Sequence, residues 1–217
     1  MEFPANQICT DDFTGPLANN TNLGAKGIIA LAAFGALCVY ANAELEVGTN
    51  CSHYTVLSQE FSSTWMRHAF TPDPAPHYKM SFNDLPGIAD SWSLKYNLVW
   101  QKLLGLGQSP FPLDRVAALE VAYYARRRKE FGTPLDPRHN YTKADWLSWA
   151  AALAASDADF EQLFDPIYDY ANATPSRLPL ADLYNTDDAR DSARGMYNRP
   201  VVGAFFARAL LRQREQG

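Results

Sequence analysis

Acids, cations and aromatic rings recur in four stretches of this sequence that lack helical periodicity. The first reads Cys9-Thr10-Asp11-Asp12-Phe13. Adjacent carboxylates outside a helix point in different directions, so at most one of Asp11 and Asp12 enters a pocket. The second stretch ends in Ala89-Asp90-Ser91-Trp92-Ser93-Leu94-Lys95. The third runs from Pro134 through Arg138, His139 and Thr142 to Asp145 and Trp146, and the fourth from Asp182 to Arg199-Pro200. Positioned carboxylates serve general acid and base catalysis. The planar fork of an arginine suits a carboxylate, and a histidine titrates near neutrality. Each group also has a structural reading. Thr142 and Asp145 match the capping box, and one of Asn20, Thr21 and Asn22 caps a first helix, leaving the aspartate pair solvated. Lys95 then stands on an exposed first turn, and Trp92 and Trp146 belong to a core.

Several chemistries are excluded by pattern. The chain has no G-x-S-x-G elbow, no H-E-x-x-H and no Walker loop. Gly105-Leu106-Gly107 follows a helix rather than a strand and reads as a C-cap. The acids of the fourth stretch lack the glycine and final glutamate of a calcium loop. Three cysteines, Cys9, Cys38 and Cys51, have neither zinc spacing nor the count of a disulfide framework, and at least one is left unpaired. No metal and no cofactor is expected. The net charge of −5 argues against nucleic acid or an anionic membrane as partner. The one basic cluster, Arg126 to Lys129, closes a predicted helix, where cations complement the macrodipole.

These loops must be positioned by helices. The sequence has 217 residues, 47% apolar and 13% aromatic, enough to bury a sizeable core. Periodicity predicts seven helical segments, at about 22–45, 52–70, 92–105, 112–131, 142–155, 157–172 and 199–213. Strand signals are nearly absent; His77 to Phe82 is the one short extended candidate. The first, third, fifth and seventh segments are apolar almost all round and belong inside. The second and sixth carry one stripe each, Leu57, Phe61 and Trp65 in one, Phe160, Leu163, Phe164, Ile167 and Ala171 in the other. The fourth is amphipathic too, and Pro166 is expected to kink the sixth. Connections from inner to outer helices are short and those from outer to inner are long, so the long loops emerge at one end. The expected fold is all-α, an arc of an α/α toroid with alternating inner and outer helices. Gly27 to Ala41 carries no charge, but 15 residues fall short of a membrane span, so a buried helix is expected.

Four N-x-S/T sequons, at Asn19, Asn50, Asn140 and Asn172, favour a secretory history. Met1 to Thr10 nevertheless shows no signal-peptide pattern.

The loops also resemble a known family. Cys9-Thr10-Asp11-Asp12-Phe13, Asn22-Leu23 with Lys26-Gly27-Ile28, and Ser93-Leu94-Lys95-Tyr96-Asn97 with Leu103-Leu104-Gly105-Leu106 carry the first part of the likeness. Pro134-Leu135-Asp136-Pro137-Arg138-His139 with Tyr141-Thr142-Lys143-Ala144-Asp145-Trp146, and Arg199-Pro200-Val201-Val202-Gly203, carry its most specific part. Together, from about residue 8 to 211, they resemble the C-terminal part of fungal glutaminase A-type proteins. The resemblance implies an extracellular or cell-wall-associated, longer protein with a six-hairpin glycosidase-like domain. Residues 1–217 would be the C-terminal portion of that single toroid domain, truncated on its N-terminal side. It also implies hydrolysis of L-glutamine to L-glutamate and ammonia, with no established catalytic set to carry over.

On that reading, Asp11, Asp12, His139 and Asp145 are the catalytic candidates. Lys95, Arg138, Arg199, Trp92 and Trp146 are the substrate-binding candidates. No activated serine or cysteine is evident, so water attacks directly. The alternatives are a glycoside hydrolase-like toroid in which Trp92 and Trp146 stack on a glycan, and a non-catalytic remnant. An arc would also leave inner-helix faces exposed, inviting association.

Overall fold

A computed structural model describes residues 3–8, 14–45, 48–72, 74–176, 179–192 and 196–216. Asp11 and Asp12 lie outside the described residues. Helix α1, Thr21–Leu45, begins where the Asn20 side chain accepts from Leu23 N–H at 3.0 Å, so Asn20 is the residue that caps it. It pairs with α2, Cys51–Ala69. Gly35 allows their close approach: a Cβ there would sit 2.8 Å from Thr55 Oγ1.

Burial along α1 is uneven. Ala25, Ile28, Ile29 and Ala32 are buried, while Phe34, Leu37, Val39 and Tyr40 stand 46–64% exposed. The expectation of a helix enclosed on all sides therefore fails: its first half buries one broad face, with Lys26 and Ala30 exposed, and its second half is largely open. Thr21–Glu44 also exceeds the apolar run seen in the sequence, being long enough to cross a membrane at a mean hydropathy of 1.8. Its first half is knit into the protein instead, with Trp65 Nε1 donating to Thr21 O at 2.7 Å.

Cys38 and Cys51 form a disulfide, a pairing that the count of three cysteines, with at least one left unpaired, did not specify. It ties the last turns of α1 to the first turn of α2, closing a loop 13 residues long. The loss of chain entropy on closing a loop of this size is worth about 3 kcal/mol. Cys38→Ser is expected to lower the unfolding free energy by about 2–3 kcal/mol in urea titration, and an unchanged midpoint would contradict that role.

After α2, the chain forms a two-residue antiparallel pair, β1 (Phe70–Thr71) with β2 (His77–Tyr78), of which β2 alone lies inside the extended candidate segment. The third helical segment begins later than predicted. Residues 93–95 stay out of the helix because Leu94 N–H donates to Leu135 O at 2.8 Å and the Lys95 ammonium takes the Ser93 carbonyl. A 3-10 turn at Tyr96–Leu98 then leads into α3, Val99–Leu104. Gly105, in the left-handed region at φ 59°, closes α3 as the expected C-cap.

Helix α4, Leu113–Arg127, is followed by a strand pair absent from the sequence reading. Strand β3, Tyr141–Lys143, pairs antiparallel with β4, Leu183–Asn185. Thr142 therefore lies in a strand, and α5, Ala144–Ala151, starts with no side-chain cap; the capping box is not formed. The carbonyls beyond α5 accept instead from Lys102 Nζ (Leu153 O, 3.0 Å) and Arg208 Nη1 (Ala154 O, 2.6 Å).

Helix α6, Asp157–Ala173, runs through Pro166. The proline has no N–H for the carbonyl of Gln162, and Arg128 Nη1 donates to that oxygen at 3.1 Å. The chain ends in a 3-10 helix, Pro200–Phe206, and α7, Ala207–Gln216. α1, the 3-10 turn, α5 and the Pro200–Phe206 helix contact one another in that order. α2 packs on α1, and α6 packs on both α5 and α4. Phe206, 71% exposed, and Leu210 leave an apolar face on the last segment as well.

Candidate functional site

The connections that lead into the apolar helices are bonded to one another. Asn97 N–H donates to Asn22 Oδ1 at 3.2 Å, Thr21 N–H to Met80 O at 3.0 Å, and Leu94 N–H to Leu135 O at 2.8 Å. The β3–β4 pair adds the fourth connection. Its register sets Lys143 opposite Leu183, so the neighbouring Asp182 falls beside Lys143 and Asp145.

Four charges result from this pairing. Lys143 Nζ lies 2.8 Å from Asp145 Oδ2 and 3.0 Å from Asp182 Oδ2. Arg199 Nε lies 3.1 Å from Asp182 Oδ1. Lys143, Asp145 and Asp182 are buried, while the Arg199 side chain is 39% exposed and forms the solvent edge. Two cations balance two anions, which is the condition for keeping such charges inside a protein. Asp145 Oδ1, also buried, has no hydrogen-bond partner among the described residues. Burial lifts the Asp145 carboxyl above the ordinary carboxylate value; Lys143 opposes that rise and Asp182 reinforces it.

Beside this network is an aromatic floor. The Lys143 ammonium lies 4.1 Å from the centre of the Trp146 ring, which stacks on Tyr96 at 4.6 Å. Tyr96 in turn lines a crevice of about 10 Å³ with Asn20, Asn22, Ser93 and Asp136, room for one water molecule. A row of contacts thus leads from Tyr96 at that crevice through Trp146, Lys143 and Asp182 to Arg199.

The sequence-derived candidates divide on this geometry. Asp145, Trp146 and Arg199 come together. Arg138 turns back on its own loop, with Nε and Nη2 donating to the two oxygens of Asp136 at 2.9 and 2.6 Å, so its fork holds a buried acid of this chain. His139 is a correction: its ring is exposed and stacks on Tyr141, outside the charged network. Trp92 is another, buried in the core beside Tyr123 and outside the charged network.

Lys95 is the third correction. It is neither solvated nor open to a substrate, because its ammonium donates to Tyr78 O, Ser93 O and Ser93 Oγ, each at 3.0 Å. Three donors are thereby spent. Glu120 stands 3.9 Å away and also accepts from Tyr78 N–H and from the Tyr124 hydroxyl, pinning the loop to α4. Burial lowers the Lys95 ammonium to about 8. Between about pH 8 and 10 the unfolded chain holds a proton here that the native chain has released, so unfolding free energy is expected to rise with pH. Above pH 10 the trend reverses, since burial holds Tyr123 and Tyr170 protonated up to about 12 in the native chain. Denaturant titrations at pH 7, 8, 9 and 10 check this, and Lys95→Met should flatten the rise.

Lys143, Asp182, Asp136 and Tyr96 were not among the candidates drawn from the sequence. A second polar recess of about 430 Å³ lies between α4 and the segment after β1. Its charges satisfy one another: Lys79 pairs with Asp84 at 3.0 Å, and Arg127 and Tyr123 both bond Asp90.

Comparison with known proteins decides the relationship. The model of the glutaminase A six helical-hairpin domain matches residues 1–209. The chain belongs to this family. It is 34% identical over 211 residues to Glutaminase A of Aspergillus oryzae (strain ATCC 42149 / RIB 40), covering 96% of this chain and 29% of that protein. A protein of Arthroderma benhamiae (strain ATCC MYA-4681 / CBS 112371) named Probable glutaminase/05536 is 30% identical over 229 residues, covering 94% of this chain and 25% of its own length. The chain thus spans between a quarter and a third of the curated relatives it matches. No solved structure matches it significantly. Both family segments that are most specific in sequence meet in the charged network, since Asp145 belongs to one and Arg199 opens the other.

Proposed function

We propose that the chain is the loop-bearing part of an extracellular glutaminase, hydrolysing the side-chain amide of L-glutamine to L-glutamate and ammonia, with its helices forming an arc of an α/α toroid. The observation that carries this reading is the Lys143–Asp145–Asp182–Arg199 network, which joins the two family motifs and leaves one buried carboxylate oxygen without a partner.

Arg199 is the group that receives the α-carboxylate. Its Nε is committed to Asp182, which fixes the plane of the guanidinium and turns the exposed edge outward for a charge-assisted pair. Asp145 is the proton carrier. A carboxyl raised above the ordinary carboxylate value takes a proton from attacking water and returns it to departing ammonia more readily than an ordinary aspartate. A bound amide or water supplies the partner that Oδ1 lacks. Lys143 pairs with the ionised form of Asp145 and with Asp182, and the Trp146–Tyr96 stack holds that lysine in place.

The carbohydrate reading requires an aromatic face for a sugar, and Trp92 and Trp146 are only 4% and 5% exposed. The test compares L-glutamine with its α-carboxamide, which lacks the carboxylate. Arg199→Ala should raise KM for glutamine about 10–100-fold, the worth of a charged hydrogen bond, and leave the α-carboxamide unaffected. Equal loss on both substrates would remove Arg199 from carboxylate recognition.

A further inference from the structure

Four sequons and one disulfide remain outside the proposed chemistry. Disulfides persist in oxidising compartments, where N-linked glycosylation also takes place. The structure separates the four asparagines. Asn50, Asn140 and Asn172 are exposed. Among the described residues no hydrogen bond engages the side-chain amides of Asn140 and Asn172. At Asn50 the oxygen alone is engaged, accepting from Ser52 Oγ at 2.8 Å. Asn19 differs. It is half-buried, in the left-handed region at φ 56°, with its N–H donating to Pro4 O at 2.7 Å and its carbonyl accepting from Phe82 N–H at 3.0 Å. Phe82 packs edge-on against Phe3 at 4.8 Å beside it. Both backbone groups of Asn19 are thus tied down in the folded protein.

We infer that Asn50, Asn140 and Asn172 carry N-linked glycans, that Asn19 stays bare, and that the Cys38–Cys51 bond limits how fully Asn50 is used. The co-reactant is an oligosaccharide on a polyisoprenoid pyrophosphate. The asparagine Nδ2 attacks the anomeric carbon, a C–N bond forms, the bond from that carbon to the pyrophosphate oxygen breaks, and Nδ2 gives up one proton as the lipid pyrophosphate leaves. Transfer needs the acceptor tripeptide extended and free. In Asn50-Cys51-Ser52 the middle residue is the disulfide cysteine itself, and its partner lies 13 residues earlier in the chain, so both enter the oxidising lumen almost together. Pairing first ties the tripeptide down; transfer first leaves a glycan beside the bond. Asn140 and Asn172 have no such competitor.

The test expresses the full chain behind a secretion leader in a eukaryotic host. Glycans are released enzymatically in 18O-water, and converted asparagines are counted by peptide mass spectrometry. This readout does not depend on glutamine hydrolysis. The expected result is label at positions 50, 140 and 172, partial at 50, and none at 19. Label at 19, or its absence from any of the other three, overturns the assignment. Cys38→Ser leaves the sequon intact, and in whole-cell extract, where folding is not required, it should raise the labelled fraction at Asn50 at least twofold without changing Asn140 or Asn172. An unchanged fraction at Asn50 overturns the coupling.

Discussion

Asp145→Asn is expected to lower kcat on glutamine by about 10²–10⁴-fold, the usual contribution of a positioned acid or base, without loss of folding stability at neutral pH. The second half of that result follows from the raised carboxyl. A native carboxyl above its unfolded value favours the protonated form, so its stabilising contribution is present at low pH. That contribution is lost as pH rises from the unfolded value through the native one. At pH 7 the ionised group is therefore a net cost to the fold, held there by Lys143. An amide of the same shape removes that cost, and Lys143 still has Asp182 at 3.0 Å. Activity and Tm should move independently. If Asp145→Asn lowers Tm by several degrees and the remaining folded enzyme turns over normally, Asp145 is a structural ion-pair partner and not the proton carrier.

Lys143→Met should do the opposite and destabilise the protein by about 3–5 kcal/mol, the cost of stripping one partner from a buried ion pair. Two carboxylates, Asp145 and Asp182, would remain buried with Arg199 alone, on one side of one of them. The cation–π contact with Trp146 would go as well. Equilibrium urea unfolding measures this. The double variant Lys143→Met with Asp145→Asn should recover part of the loss, because the substitutions share one network and cannot be additive. Additive losses would show that the two side chains are not coupled.

What could be read from the sequence follows the range of the forces involved. Helices α1, α2, α4 and α6 lie where periodicity places them, since the apolar stripe of a helix is local. Leu163 and Ile167 of the predicted α6 stripe are indeed buried. The starts of α3 and α5 were misplaced by contacts made with distant residues. Leu94 bonds Leu135, and Tyr141 to Lys143 pair with a strand some forty positions later, so neither segment could obey its local propensity. The same pairing explains the incomplete site. Asp145, Trp146 and Arg199 stand out by type and spacing, but Lys143 and Asp182 acquire meaning only from the register of β3 and β4. Lys95 reads from the sequence as an exposed first-turn residue or a substrate cation, and it is instead buried against three oxygens. The odd number of cysteines concealed a pair, because counting says nothing about which two Cα atoms come within 5.4 Å.

The apolar face left on α1 by Phe34, Leu37, Val39 and Tyr40 shows where periodicity overstates enclosure. A helix apolar on every side has no polar face to mark its solvent edge, so its sequence looks the same whether one side or all sides are covered.

The central claim is amide hydrolysis at the loop end, and the most direct measurement is ammonia and glutamate determined together after incubation with L-glutamine. Wild-type protein should release the two in equal amounts, and Asp145→Asn, still folded, should release almost none. Full release by folded Asp145→Asn, or reducing sugar from oligosaccharides with no ammonia from glutamine, would contradict it.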